Sequence, residues 1–328
     1  MTATATLDRV HTDDLPRITA LLTTARHRGQ YDTTPAPERL EAVLGQRAGD
    51  ARVARVGGRT VGFVTVGPTG LVGPPSTEAL FCDLVVEDPS DGPLEASLTR
   101  WAHDTAATTH SGHHTLRTLR GAAVAVPAGF TEVRRIWRMD TALTPPAAAR
   151  PVRPDLTFLS YTDDTGRALA DSTWVNLINS AFAEHWGGYQ PWTAERWRQR
   201  LAATGHQGLE ILALRHSEPA GVLLARVTAR AAGLGAADAG AAGAGTAGAG
   251  AAGFIEVVGT HPGHRRRGIA EALVHTALHH LAARGLRTAH LMVDASGSTR
   301  ATELYARCGF HRHFDYVVAE QPLHNRPS

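Results

Sequence analysis

The sequence predicts an α+β chain built from two copies of one unit. Three observations carry that reading. The length of 328 residues suits two domains of ordinary size. A proline-rich stretch divides the chain near its middle. On either side of it, the apolar patterning runs through the same order of elements.

The dividing stretch is residues 144–155, TPPAAARPVRPD, in which four of twelve residues are proline and no apolar period is visible. It predicts a linker between a first domain over residues 1–143 and a second over residues 156–328. In the first half, helical spacing runs from Asp14 to Thr24 and again from Pro37 to Gln46. Arg52–Val56, the Gly57-Gly58 turn and Thr60–Val66 predict a hairpin. Leu80–Val86 is a further strand, Leu94–Ala107 a helix, and Phe130–Asp140 a closing strand or pair.

The second half repeats the order. Helices are predicted over Leu169–Ala181 and Thr193–Ala203, the latter with Thr193 as its N-cap. Leu209–Arg215 and Gly221–Thr228 form the hairpin, turning at Glu218-Pro219-Ala220. Phe254–Thr260 is a strand, Gly268–Arg284 a long amphipathic helix, and Thr288–Asp294 the next strand. Thr299–Arg307 is a short helix, and a last strand begins at Phe310. Residues 229–253, inside the hairpin-to-strand connection, are nearly pure Ala and Gly. Such a segment buries too little apolar surface to offset its ordering entropy and predicts a flexible insert. It contains neither GxGxxG nor GxxxxGK[ST], so it carries no nucleotide-binding signature.

Composition narrows the function. Hydrophobic residues at 43% and charged residues at 20% describe a globular protein, and a net charge of +2 argues against a nucleic-acid binder. All 33 basic residues are arginine, which excludes Schiff-base chemistry on lysine and a lysine-dependent phosphate loop. Two cysteines, Cys82 and Cys308, are too few for a disulfide framework or a cysteine zinc site. The amino terminus lacks the basic start and apolar run of a signal peptide, and the longest uncharged stretch, residues 239–255, is too weakly apolar to span a bilayer. A soluble, cytoplasmic monomer without membrane or nucleic-acid partners is expected. Eighteen histidines raise a metal question, but their clusters (His110 with His113 and His114, His279 with His280, His311 with His313) do not pair into ligand sets. No metal is expected.

The informative segment runs from Phe254 to Phe310. The β-branched strand FIEVVGT leads through His261-Pro262-Gly263-His264 into Arg265-Arg266-Arg267-Gly268-Ile269-Ala270, and a helix follows at once. A helix start presents unpaired N–H groups and the positive end of its dipole, which suits a pyrophosphate. Gly268 and Ala270 permit close approach, and the arginines add charge.

These residues resemble the acyl-CoA signature of the GNAT superfamily of N-acetyltransferases, [Arg/Gln]-x-x-Gly-x-[Gly/Ala], which stands here as Arg265-x-x-Gly268-x-Ala270. Pro262 precedes it by three residues, and Leu304-Tyr305-x-x-x-Gly309-Phe310 follows in the family's order. The resemblance covers the whole second half and, more faintly, the first. It implies two tandem GNAT-like domains, each with a mixed, mostly antiparallel central sheet flanked by helices. It also implies an acetyl-CoA-dependent N-acetyltransferase, with other acyl-CoA donors open, acting on the amine of a small molecule.

The resemblance also implies roles. Val258, Gly259 and Thr260 would bind the pantetheine arm, and Arg265, Arg266, Arg267, Gly268, Ile269, Ala270 and Glu271 the pyrophosphate. Tyr305 would protonate the leaving thiolate, and Glu256 would serve as general base through water. Ser298 stands where many relatives have asparagine, seven residues before Tyr305, and with Arg300 it would contact the cofactor. The loop FAEHWGGYQPW places Glu184, His185, Trp186, Tyr189 and Trp192 where the family walls its acceptor; it either binds substrate or packs the helix pair. The first half is degenerate: Glu87, Asp88, Asp91 and Glu95 replace the arginines, Pro93 removes an amide, and no tyrosine precedes Gly129-Phe130. The alternative function is a non-catalytic acyl-CoA-binding sensor or biosynthetic partner.

Overall fold

The computed structural model describes residues 5–35, 37–46, 50–68, 71, 79–110, 112–143, 153–183, 190–229, 251–297 and 300–323. In chain order the elements are β1 (Thr6–Arg9), α1 (Leu15–His27), α2 (Pro37–Gln46), β2 (Ala51–Val56), β3 (Arg59–Gly67), β4 (Ala79–Val86), α3 (Gly92–Thr109), β5 (Thr115–Gly121) and β6 (Thr131–Ala142). They continue with β7 (Leu156–Ser160), α4 (Asp164–Ala168), α5 (Asp171–Phe182), α6 (Ala194–Thr204), β8 (Gly208–Arg215), β9 (Glu218–Ala229), β10 (Ala251–Thr260), α7 (Ile269–Ala283), β11 (Thr288–Asp294), α8 (Ala301–Arg307) and β12 (His311–Pro322).

The chain forms two compact units, and they do not follow the two halves of the sequence. Among the described residues, the first unit holds those up to Ile136 and those from Phe314 onward. The second holds those from Trp137 to His313. Strand β6 therefore begins in the first unit and enters the second at Trp137. Strand β12 begins in the second and enters the first at Phe314. Each half of the chain supplies the strand that closes the other half's unit. The expected closing strand at 130–140 was correctly a strand, but hydrophobic alternation reveals only a strand's buried face and not the edge it joins.

In the first unit the strand order is β1-β2-β3-β4-β5-β12. Strands β4 and β5 are parallel, paired from Ala79–Thr115 to Phe81–Arg117, and β12 runs antiparallel to β5 from Tyr316–Gly121 to Pro322–Thr115. Every residue of β4 is buried, as a central strand covered on both faces requires. Leu94, Leu98, Ala102 and Ala106 of α3 pack against Val64, Leu80 and Leu84.

In the second unit the order is β6-β11-β10-β9-β8-β7. Alternate residues of β8 and β9 serve two cores. Ile211, Ala213, Leu223 and Ala225 meet Ile269, Leu273, Ala277 and Leu281 of α7, with Met139 of β6 in the same cluster. Leu212, Val222 and Leu224 meet Trp174 and Ile178 of α5 and Trp197 of α6. This is the period of two that a strand imposes on its side chains. The Thr193 hydroxyl caps α6 by accepting from Arg196 N at 3.1 Å.

Three strands were not legible in the sequence: β1, β5 and β7. The β8–β9 turn also differs from expectation. It lies at His216-Ser217, both with positive φ (50° and 67°), and Pro219 already pairs with Leu214. Neither residue is a glycine, so the usual signal for a left-handed turn is missing. Of the insert expected at 229–253, Ala229 and residues 251–253 are strand, with Ala229 opposite Ala251; residues 230–250 lie outside the described residues. Among the described residues, no helix is long and apolar enough to cross a membrane, and no group of three metal-ligating side chains occurs.

Candidate active site

The site begins where two parallel strands part. Strands β10 and β11 pair only at Gly253–Ala289, Phe254–His290 and Ile255–Leu291. Beyond that, β10 continues to Thr260 along β9, while β11 continues to Asp294. The β10 edge from Val257 to Thr260 thus loses its β11 ladder and can receive an extended, amide-bearing ligand as a further strand. A bulge between Ile255 and Val257 falls on Glu256 and sharpens the divergence. Val258 packs against the α7 core cluster. Gly259 is closely covered by the end of α5; a Cβ there would lie 2.8 Å from Ala181 Cβ. Thr260 pairs with Gly221.

From Thr260 the chain turns through a short 3-10 helix, Pro262–His264, into α7. His261 Nδ1 accepts from Gly263 N at 3.2 Å, fixing that turn. Arg265, Arg266, Arg267 and Gly268 are all exposed. Arg266 (φ 61°) and Gly268 (φ 72°) are left-handed. Gly268 is the N-cap of α7 and offers no side-chain cap, so the first amides of the helix, those of Ile269, Ala270 and Glu271, lack helical acceptors. Ile269 is buried and anchors the helix start in the core. Glu271 receives Arg307 Nε at 3.5 Å, and Arg265 Nη2 donates to Ala181 O at 3.3 Å. The result is an uncapped helix start with three arginines on the loop leading to it.

Tyr305 lies in α8, 9% exposed, with its ring edge-on to Phe310 at 6.0 Å between centroids. Burial, reinforced by Cys308, pushes its pKa well above the ordinary phenol value, so the ring is held in its neutral, proton-bearing form. Arg300 sits at the N-cap of α8 with φ 54°, and its Nε is bonded to Glu303 at 2.8 Å on the surface. Ser298 lies outside the described residues, as do Glu184, His185, Trp186 and Tyr189. Trp192 is described: Asn179 of α5 brackets its backbone at 2.7 and 3.0 Å, and the Arg196 guanidinium lies 4.6 Å from its ring centroid.

Glu256 departs from the expected free base. Both carboxylate oxygens are engaged, one by Arg200 Nη2 at 2.8 Å and the other by Arg226 Nε at 2.7 Å. Arg200 also holds Glu210 at 2.5 Å, completing a neutral, largely buried quartet that joins α6, β8, β9 and β10. The sequence showed a carboxylate on the strand; it could not show that two arginines from other elements face it. Arg153 likewise carries no local sequence signal. It lies in the proline-rich segment, yet its Nη1 bonds Arg267 O beside the start of α7.

The first unit has the same parting of parallel strands, since β4–β5 pairing ends at Phe81–Arg117. There, however, the gap is occupied by the chain itself. Gln30 Nε2 donates to Leu84 O at 2.7 Å, and Gly121 N donates to Gln30 O at 2.8 Å. Arg120 Nη2 reaches Leu84 O at 3.4 Å and Glu95 at 2.8 Å. At the start of α3, Asp91 accepts from Leu94 N at 3.0 Å, so a carboxylate already fills the anion position.

Each unit thus presents parallel strands that diverge toward the start of a helix, and similar solved structures show this fold at full length. A GCN5-related N-acetyltransferase from Sphaerobacter thermophilus matches with a TM-score of 0.74 at 21% identity, covering 99% of this chain and 96% of its own. A tandem GNAT protein from the clavulanic acid biosynthesis pathway matches with a TM-score of 0.62 at 14% identity, covering 99% and 100%. The fold is a tandem GNAT fold. Within it, residues 172–310 match the acetyltransferase (GNAT) family model. Curated relatives include the mycothiol acetyltransferases of Thermobispora bispora, 33% identical over 58% of this chain and 59% of that protein, and of Salinispora tropica, 29% identical over 69% and 64%. The matched regions span less than two thirds of either relative.

Proposed function

We propose that the chain is an acetyl-CoA-dependent N-acetyltransferase that acts on the amine of a small molecule, and that the second unit carries out the transfer. The observation that carries this reading is the gap between β10 and β11, which opens after Ile255 and Leu291 and leads to the uncapped start of α7. Pantetheine amides would take up the ladder positions of Val258, Gly259 and Thr260. The pyrophosphate would meet the amides of Gly268 to Glu271 and the charge of Arg265, Arg266 and Arg267.

In this reading the amine attacks the thioester carbonyl directly, and a strand amide stabilises the tetrahedral oxyanion. As the C–S bond breaks, the CoA thiolate takes the proton of the Tyr305 phenol, and the amine's surplus proton passes to water and through it back to the phenolate, restoring the neutral ring. Glu256 holds Arg200 and Arg226 against β10 rather than abstracting a proton, because both its oxygens already accept from guanidinium groups. The first unit is structural, with Gln30, Arg120 and Asp91 standing where a cofactor would lie.

The relatives are named for mycothiol, which puts their acceptor first in a panel of amino sugars, amino acids and aminoglycosides. The test is release of CoA from acetyl-CoA by the purified chain with each amine. Release confined to one acceptor class supports the reading. Tight acetyl-CoA binding with no release on any amine would replace it with a binding protein.

A further inference from the structure

Arg153 stands at the phosphate end of the cleft, although it belongs to the segment that joins the two halves of the sequence. Its guanidinium is held in a fixed orientation. Nε and Nη2 grip the two oxygens of Asp155 at 3.0 and 2.7 Å, and Asp155 in turn accepts from Arg215 Nε at 3.3 Å, at the end of β8. Leu156 N donates to Arg153 O at 3.0 Å, which fixes the backbone at the entry to β7. The third nitrogen, Nη1, points the other way. It donates to Arg267 O, and a Cβ built on Gly268 would lie 3.0 Å from it.

This arrangement separates the two edges of the guanidinium. The fork of Nε and Nη2 is used on a carboxylate, so the plane cannot swing. Nη1 carries two protons, and one bond to Arg267 O leaves the second for a further acceptor beside Gly268. The side chain is 41% exposed, so a ligand can reach it. Hydrogen bonding to Arg153, the leading influence on Asp155, holds that carboxyl below its ordinary range, so the grip persists throughout the neutral region.

We propose that Arg153 is a ligand to the diphosphate of the acyl-CoA donor, placed by Asp155 as a fourth guanidinium beside Arg265, Arg266 and Arg267. The proposal rests on the reading that the start of α7 receives that diphosphate. It assigns to the joining segment a share in cofactor selection, through a residue outside the signature motif. An incoming diphosphate oxygen would accept from Nη1 in a charge-assisted bond.

The test uses the full chain and calorimetric titration with acetyl-CoA and with 3′-dephospho-CoA. If the wild type binds neither, the underlying reading fails and Arg153 with it. With wild-type binding established, Arg153→Gln is expected to weaken both ligands by about tenfold or more. Arg153→Lys, which keeps the charge but cannot fork onto Asp155, is expected to recover a good part of that loss. Unchanged affinity in Arg153→Gln would overturn the proposal. So would a loss confined to acetyl-CoA, which would move the contact off the diphosphate, to the 3′-phosphate or the acetyl group. Equal losses in Gln and Lys variants would make Arg153 a shaper of the loop and overturn it as well.

Discussion

Arg200 and Glu256, 56 positions apart in the chain, are joined by two hydrogen bonds to one carboxylate oxygen, from Nη2 at 2.8 Å and Nε at 3.2 Å. Arg226 takes the other oxygen. Replacing Glu256 by Gln leaves two mostly buried guanidinium groups short of a counter-charge and should cost about 3 kcal/mol of stability, read as a lowered melting temperature. The acid limb of the pH–rate profile should survive in Glu256→Gln. Its disappearance, with turnover down by about 10²–10⁴, would restore Glu256 as the base.

Gly268→Glu should abolish acetyl-CoA binding and leave the fold intact. The left-handed φ of 72° costs a side chain about 1–2 kcal/mol, and the added Cβ would crowd Arg153 Nη1. A carboxylate near a helix N-terminus returns part of that cost. Its charge, however, would oppose a diphosphate at the same place. Calorimetry showing wild-type affinity in the folded variant would detach this loop from the cofactor.

Tyr305→Phe should bind acetyl-CoA as the wild type does and turn over about 10²–10⁴-fold more slowly. The sign of the pKa shift makes a second expectation. Burial penalises the phenolate, so the neutral donor persists through and beyond the ordinary phenol pKa of about 10. The wild-type rate should therefore show no alkaline limb from this group below pH 10. Wild-type turnover in Tyr305→Phe would return the ring to a packing role.

Native mass spectrometry of the purified chain with acetyl-CoA should show a single bound cofactor. Gln30 and Arg120 already satisfy Leu84 O in the first unit, and Asp91 caps α3. A second cofactor would show that these contacts open.

Residues 152–328 produced alone should be poorly soluble, because the second unit then lacks Trp137–Ala142 of β6 and exposes the edge of β11. Co-expression with residues 1–151, which supply β6 and the β5 partner of β12, should restore solubility. A soluble, monodisperse fragment without that partner would show that the edge tolerates exposure.

The parts of the fold legible in the sequence were those with a local cause. The Gly57-Gly58 turn, the Thr193 cap, the period of α7 and the uncapped Gly268 each depend on neighbouring residues, and each could be read. The strands β1 and β7 have four and five residues, and β5 buries Arg117 and Arg120 as well as Leu116 and Leu119, so no apolar alternation marks it. The ion-pair quartet around Glu256, the filling of the first gap by Gln30, and the reach of Arg153 to Arg267 join residues distant in sequence. No local spacing encodes such meetings.

The crossing of β6 and β12 between units sets an order on synthesis. A ribosome delivers the first unit's strands β1 to β5 early, yet the strand that completes their sheet follows every strand of the second unit. Until then β5 has an open edge, and the usual sequence of amino-terminal domain first, carboxy-terminal domain second is unavailable. The two units must finish together, once β12 has been made. Cutting the gene at the proline-rich segment would therefore yield two fragments that each carry the other's missing strand, a pair that complements only when both are present.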